Sequence, residues 1–266
     1  MDYKPPVSAV ILTKNEEKHI QRCLNSLTWA DEILVIDAFS QDKTVEICND
    51  STRPWAQNIK VIQKQWNGFK EQRNFSIKTA KNNWILVVDA DEECSWDLAK
   101  KIKSFFKDSK EPPHRAYKVH RIEYFLEKPI HYGIWNPSYQ DRFFYRDGVN
   151  YVNDVHEYPI FSVTPSRIHE PLKHAENFDV DKFINKMHTY TSIEAMDRFS
   201  KGQRTNWFTL LFAFPAMFFK NYFYYKAYKD GMRGFIISLL EGVSRVVRHI
   251  KIWKLTEQNL PKEKIK

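Results

Sequence analysis

Apolar residues in the first hundred positions fall into short unbroken runs, separated by segments in which they recur at helical spacing. Val7 to Leu12, Ile33 to Ile36, Ile59 to Ile62 and Trp84 to Val88 are such runs. Each is short and rich in β-branched residues, the pattern of a buried strand. Between them, Thr13-Lys-Asn-Glu16 reads as a capping box opening a helix whose Ile20, Cys23, Leu24 and Leu27 share one face. Ser40 reads as the N-cap of a helix carrying Val45 and Cys48, and Gly68 to Ala80 fits a third helix. Strands and helices in alternation predict an α/β domain with a mostly parallel sheet. In such sheets ligands sit beyond the carboxyl ends of the strands.

From Ala116 the pattern changes. Ala116 to Ile122 and Gln140 to Tyr145 read as strands, separated by a polar and aromatic loop with Pro129, Gly133 and Pro137. Asp147-Gly148 reads as a turn joining residues 141–146 to 150–155, and the prolines at 159, 165 and 171 predict irregular structure with short β pieces. A helix is expected from Asp179 to about Phe199. Further on, Phe235, Ile236, Leu239, Leu240, Val243, Val246, Val247 and Ile250 form an apolar stripe of helical period. Leu210 to Phe219 is nearly continuous hydrophobe interrupted by Pro215. No window holds the roughly 18 uninterrupted apolar residues of a membrane span, and Met1 to Pro6 lacks the layout of a signal peptide. The expected organisation is an α/β domain over 1–200, with one half at 1–95 and a second at 96–200. A helical extension over 201–266 follows.

Composition adds a globular fold and a lopsided charge. The chain is 42% apolar and 28% charged, with a net charge of +8. Residues 201–255 hold ten Lys and Arg against Asp230 and Glu241, which accounts for the whole excess. Eleven of the 22 residues from Trp207 to Tyr228 are aromatic. A basic, aromatic C-terminal segment on an otherwise neutral chain points to an anionic surface. It either packs on the core as a helical subdomain or lies in a membrane interface, with rings at headgroup depth and cations on anionic lipid. Cys23, Cys48 and Cys94 show neither paired metal spacing nor a disulfide framework, which favours a reducing, cytosolic setting.

The candidate chemistry stands at the strand ends. The first run stops at Thr13, Asn15 and Glu16, the second at Asp37 and Ser40, the fourth at Asp89, Ala90, Asp91 and Glu92. On a strand, Asp89 and Asp91 would point the same way and address one point past its end. Carboxylates presented there suit a hard divalent cation, Mg²⁺ or Mn²⁺, bridged to phosphates. The plainer alternative is an acidic turn capping the next helix. Three polar clusters on one edge predict a nucleotide pocket, and no glycine-rich phosphate loop follows any strand.

Four ordered stretches carry a resemblance. Val10 to Glu17, Val35 to Thr44, Trp66 to Phe69 with Gln72-Arg-Asn74, and Trp84 to Glu92 resemble the family 2 glycosyltransferases of GT-A fold. Within that family they are most similar to the lipopolysaccharide-core glucosyltransferase (WaaE-like) group. The match is firm over 7–95 and looser through Trp135-Asn-Pro, Asp141-Arg-Phe-Phe, Val155-His-Glu157 and Leu172-Lys-His174. The resemblance implies an inverting transfer of one sugar, a hexose from UDP, to a hydroxyl of a glycolipid or oligosaccharide acceptor. The work would be done peripherally on the inner face of the cytoplasmic membrane, without nucleic acid.

It also implies roles. Thr13, Asn15, Glu16 and Asp37 line the base and ribose pocket, Arg73 approaches the diphosphate, and Asp89 handles ribose. Asp91 and His174 hold the Mn²⁺ or Mg²⁺ cofactor. Glu157 ranks first as the base that takes the acceptor proton, Asp141 second and Asp154 third, with His156 a structural partner. Relatives usually carry small residues where this chain has Ala38-Phe39. Two other classes compete: a nucleotidyltransferase, which would show a glycine-rich basic loop after the first strand, and a non-enzymatic basic protein binding membrane or nucleic acid.

Overall fold

The computed structural model describes residues 3–107, 111–153, 157–178 and 180–259. The chain divides into two compact units, residues 1–122 with 138–176, and 123–137 with 177–266. The chain therefore passes between the units at three places, after residues 122, 137 and 176.

The first unit opens with β1 (Val7–Thr13), α1 (Ile20–Ser26), β2 (Glu32–Asp37), α2 (Thr44–Cys48), β3 (Ile59–Gln63), α3 (Phe69–Thr79) and β4 (Trp84–Asp89). There follow β5 (Glu92–Cys94), α4 (Trp96–Phe105) and β6 (Ala116–Phe125); the short β7 (Lys128–Pro129), which belongs to the second unit, pairs with the far end of β6. Then come β8 (Ser138–Tyr145), β9 (Asn150–Val152), β10 (Tyr158–Ile160) and β11 (Ser166–Phe178). The main sheet runs β3-β2-β1-β4-β8-β6-β11-β5. β3, β2, β1 and β4 are parallel, whereas β8 meets both β4 and β6 antiparallel.

Why the early strands are unbroken hydrophobe follows from their two covered faces. Val7, Ala9 and Ile11 of β1, with Trp84, Leu86 and Val88 of β4, pack into one cluster with α1, α2 and α4. Val10 and Leu12, with Ile85 and Val87, face the other way, towards Ile77 of α3 and Phe144 of β8. This alternation of side chains decides where the strand-end residues point.

Several local expectations change. The capping box does not form: Thr13 ends β1, α1 begins only at Ile20, and the Glu16 carboxylate binds His19 Nδ1 at 2.9 Å. Ser40 is not a helix cap either. The N-cap position is Lys43, which makes no side-chain cap bond; Asp42 Oδ1 accepts from the Thr44 N–H at 3.0 Å just ahead of the helix, while Ser40 turns back to Asp37. The Asp147-Gly148 turn is present, but β9 leaves the main sheet and pairs with β10. The stretch expected to be irregular contains β11, a 13-residue strand that takes Pro171 into the sheet. The proposed pairing partner up to Val155 runs outside the described residues.

The second unit joins the 123–137 hairpin to α5 (Val180–Ser200), α6 (Trp207–Phe219), a π-helical turn (Lys220–Tyr224), a 3-10 turn (Ala227–Asp230) and α7 (Gly231–Asn259). Its contacts are specific. Asp230 accepts from the backbone N–H groups of His131 and Tyr132, and the buried Asn221 accepts from Ile134 N–H at 2.7 Å and donates to Ser238 Oγ at 2.9 Å. Trp135 Nε1–H donates to Glu241 at 2.9 Å; burial pushes that carboxyl above its ordinary value, and the indole bond opposes the shift. At Gly234 a Cβ would fall 1.8 Å from the Ala227 carbonyl oxygen. Gly234→Ala is therefore expected to destabilise the second unit by about 1–3 kcal/mol through forced displacement of backbone. Chemical denaturation of full-length protein measures it. Among the described residues no helix is long and apolar enough to cross a membrane.

Candidate active site at the carboxyl edge of the sheet

The register sets Thr13 beside Asp37 and Leu12 beside Asp89, so the three polar clusters do share one edge. Side-chain alternation then splits them. Asp37 follows Ile33 and Val35 on the α1–α2 side, and Asp89 follows Ile85 and Val87 on the α3 side.

On the α1–α2 side the loops after β1 and β2 are tied together. Asp37 is fully buried; its carboxylate accepts from the Ser40 hydroxyl, from the Ser40 N–H at 3.0 Å and from Gln63 Nε2 at 3.1 Å. Asn15 N–H donates to Ser40 Oγ and Asn15 Oδ1 accepts from Gln41 N–H, both at 2.8 Å. Glu16 N–H donates to Thr44 Oγ1 at 2.8 Å. The buried Thr13 Oγ1 has no hydrogen-bond partner among the described residues. Phe39 closes this turn with φ at 56° and its ring about half exposed. That left-handed conformation is unusual for a bulky residue.

On the α3 side a buried ion network holds the acidic tip. Asp89 receives Arg73 Nη2 on one oxygen at 2.5 Å and Arg142 Nη2 on the other at 2.6 Å. The same Arg142 nitrogen reaches Glu92 Oε1 at 2.9 Å, and Arg121 Nε stands 3.2 Å from that oxygen. Glu92 Oε2 in turn accepts the Asp89 N–H at 2.9 Å. Burial alone would raise the Asp89 carboxyl, but Arg142 and Arg73 hold it well below the usual range. Glu92 goes the other way: burial and the Asp89 charge outweigh its arginines and raise it.

Asp91 departs from the strand geometry expected of it. β4 ends at Asp89, and Ala90 and Asp91 form a turn, so the two carboxylates take different partners. Asp91 Oδ2 lies 2.9 Å from His174 Nε2 on β11. Burial pushes Asp91 up, and the His174 hydrogen bond and charge bring it below its ordinary value. Asp91 and His174, expected together as metal ligands, are thus neighbours. Among the described residues no group of three His, Cys, Asp or Glu converges on a metal position. Asp89, with both oxygens engaged by arginine, is not one of the free donors.

A cleft of about 260 Å³ opens beside this network. It is lined by Arg73, Asp89, Asp141, Arg142, Tyr151 and Glu157, among others. Both first-ranked carboxylates for proton abstraction therefore share a cavity with the expected diphosphate ligand. Glu157 is half-buried, and Asp141 receives Lys118 Nζ on Oδ2 at 3.3 Å while its Oδ1 is buried without a partner. Arg73 Nη1 and Arg142 Nε are also buried and have no hydrogen-bond partner among the described residues. Asp154 and His156 lie outside the described residues. A larger open groove of about 1050 Å³, between α1 and α4, holds none of the predicted site residues.

The sequence reading passed over Arg142, Arg121 and Glu92 as participants. Arg142 left a signal, a charge inside the apolar Arg-Phe-Phe-Tyr145 run of a central strand, where an ionised side chain requires a buried partner.

Residues 8–165 match the family described as Glycosyl transferase family 2, and the chain belongs to that family. The sheet order and this membership give it a GT-A architecture. A protein of Rickettsia bellii described as an uncharacterized glycosyltransferase is 27% identical over 271 residues, covering 96% of this chain and 88% of its own length. The lipopolysaccharide core biosynthesis glycosyltransferase LpsC of Rhizobium meliloti is 26% identical over 262 residues, covering 94% and 93%. Among solved structures, S. aureus TarS superposes with a TM-score of 0.43 at 17% identity, over 71% of this chain; the chain spans only 39% of TarS. Membership removes the nucleotidyltransferase and the non-enzymatic binding protein as readings of the fold.

Proposed function

We propose that the chain moves a single hexose from UDP to a hydroxyl of a membrane-linked glycan such as lipopolysaccharide core, with inversion at the anomeric carbon. The cleft carries this reading: Arg73, with a buried N–H that has no partner among the described residues, lines one cavity with Asp141 and Glu157. The name of the Rhizobium meliloti relative supports the acceptor class.

In this reading Glu157 takes the proton from the acceptor hydroxyl, within hydrogen-bond reach. The freed oxygen attacks the anomeric carbon from the face opposite the diphosphate, and the sugar–phosphate bond breaks with its electron pair leaving on the diphosphate. Arg73 meets that growing negative charge through a charge-assisted hydrogen bond. Arg142 keeps Asp89 neutralised, so that Arg73 can turn an N–H to the ligand without stranding a carboxylate. Thr13, Asn15, Glu16 and Asp37 bound the base and ribose end; Thr13 has a hydroxyl to offer, while Asp37 acts by fixing the loop.

Asp91 and His174 would hold Mn²⁺ or Mg²⁺. A two-donor set fits such an ion, which fills its remaining positions with water and substrate phosphate. When bound it supplies Lewis-acid stabilisation of the leaving diphosphate. A second reading gives the base role to Asp141, favoured by its partnerless Oδ1 in the same cleft.

Thermal unfolding with UDP and UDP-sugars, with and without Mn²⁺, tests this. A ligand at one hundred times its Kd stabilises the folded state by about 2.7 kcal/mol. Wild type is expected to be stabilised by UDP and further by Mn²⁺ with UDP; Asp91→Asn retains the first increment and loses the second. A wild-type protein indifferent to every uridine nucleotide would overturn the assignment.

A further inference from the structure

Helix α6 and the π turn after it are built inside out. Their inward positions are Ala213, Met217 and Asn221, all buried, whereas their largest hydrophobes face solvent. Trp207, Phe208, Leu211, Phe212, Phe219 and Phe223 are each between 54% and 63% exposed. Trp207, Phe208, Leu211 and Phe212 recur at three and four residues, and Phe219 follows two turns after Phe212 with Phe223 four residues on, so they lie on one side of the helix, opposite Ala213 and Met217. Scattered exposed hydrophobes need no explanation, but a contiguous aromatic face marks a contact surface.

Charge identifies the occupant. From Arg198 to Lys229 there is no Asp or Glu, while Arg198, Lys201, Arg204, Lys220, Lys226 and Lys229 carry positive charge. Arg204 precedes the aromatic face, and Lys220, Lys226 and Lys229 lie at its far end, all four exposed. Rings bordered by cations, with no acid among them, suit the headgroup and upper acyl zone of an anionic bilayer. The 13-residue helix is about 20 Å long, against a hydrocarbon layer of about 30 Å. Its place is therefore in the plane of the interface.

We propose that the face formed by α6 and the π turn is a lipid-docking surface selective for anionic phospholipid. This deepens the membrane-linked part of the proposed function and rests on it only for what the acceptor is attached to; the docking surface itself is independent of donor chemistry.

The test is flotation of the purified full chain with vesicles of phosphatidylcholine alone and of phosphatidylcholine with phosphatidylglycerol. Wild type is expected to float with the anionic vesicles, less as salt rises, and weakly with the neutral ones. Each Phe ring withdrawn from lipid is expected to weaken partitioning about tenfold. Phe212→Ser with Phe219→Ser should therefore lose binding to both vesicle types, with circular dichroism unchanged. Lys220→Glu with Lys226→Glu should lose only the preference for phosphatidylglycerol. Should the double Phe variant fail to fold, Leu211→Gln alone gives the same reading at smaller amplitude.

Wild type unbound to either vesicle would overturn the proposal, as would Phe variants that float like wild type. So would a stable oligomer in sedimentation velocity that ignores vesicles and becomes monomeric in the Phe variants, because the face is then covered by a second copy. UDP stabilisation measured on the same samples separates the two readings. Flotation without any UDP response sinks the donor assignment and leaves the docking surface standing.

Discussion

Glu157→Gln is expected to slow sugar transfer by about 10²–10⁴-fold, the usual worth of a general base, and to leave UDP affinity where it was. The substitution keeps size and hydrogen-bonding capacity and removes only the ability to accept a proton, so a binding defect is not expected. Its readout is the split between turnover and the thermal shift with UDP. Asp141→Asn is the paired control. Asp141 has Lys118 on one oxygen and a buried, partnerless second oxygen, so the amide keeps much of the local packing. A full loss of turnover in Asp141→Asn, with Glu157→Gln near wild type, transfers the base role to Asp141.

Arg142→Leu should cost about 3–5 kcal/mol of folding stability, the effect of removing one partner from a buried ionic cluster. Arg142 is 7% exposed at its side chain and serves both Asp89 and Glu92, itself fully buried. Leucine leaves the two acids with one arginine each. The sign of the pH dependence separates this from simple loss of packing.

In the wild type Asp89 has its carboxyl below the unfolded value, so its contribution is complete at neutral pH and is lost only as acid carries the pH below about 4. Glu92 is raised, so its ionisation already works against the fold as pH rises through its folded value, and losing Arg142 raises it further. The deficit of the variant should consequently shrink as the pH falls from neutrality towards the ordinary glutamate value of about 4.3, as protons relieve Glu92. Urea titrations of both proteins across that range measure it. A deficit that stays constant with pH would assign the loss to packing and remove the electrostatic role.

What the sequence disclosed, it disclosed through local pattern. Runs such as Val7–Leu12 and Trp84–Val88 are hydrophobic on both parities, which by itself announces a strand covered on two faces. Elements whose reason lies elsewhere in the chain were hidden. β11 contains Pro171 and little alternation, and it becomes a strand because β6 and β5 stand on either side of it. Helix α4 is capped by Ser95, which accepts from the Leu98 N–H, but its apolar face is short and directly follows the acidic tip, so local pattern marks it weakly.

The site divides in the same way. Asp37, Asp89 and Asp91 stand out because strands stop at them. Arg142 and Arg121 do not, because their meaning is the carboxylate of Glu92, 50 residues from Arg142 along the chain. Pairing Asp91 with His174 came from the family resemblance; only the fold, bringing β11 beside β5, supplies a physical reason for it.

The order of segments in the second unit constrains how this protein can be cut and recombined. The 123–137 hairpin sits between two strands of the main sheet yet is stitched to residues more than eighty positions downstream, through Asp230, Asn221 and Glu241. A stop codon after residue 176 would strand that hairpin with unmet backbone donors and a bare indole, so shortened chains report on damage as well as on the missing helices. A chimera between relatives has to exchange both pieces at once, and crossover points that part them should yield insoluble protein.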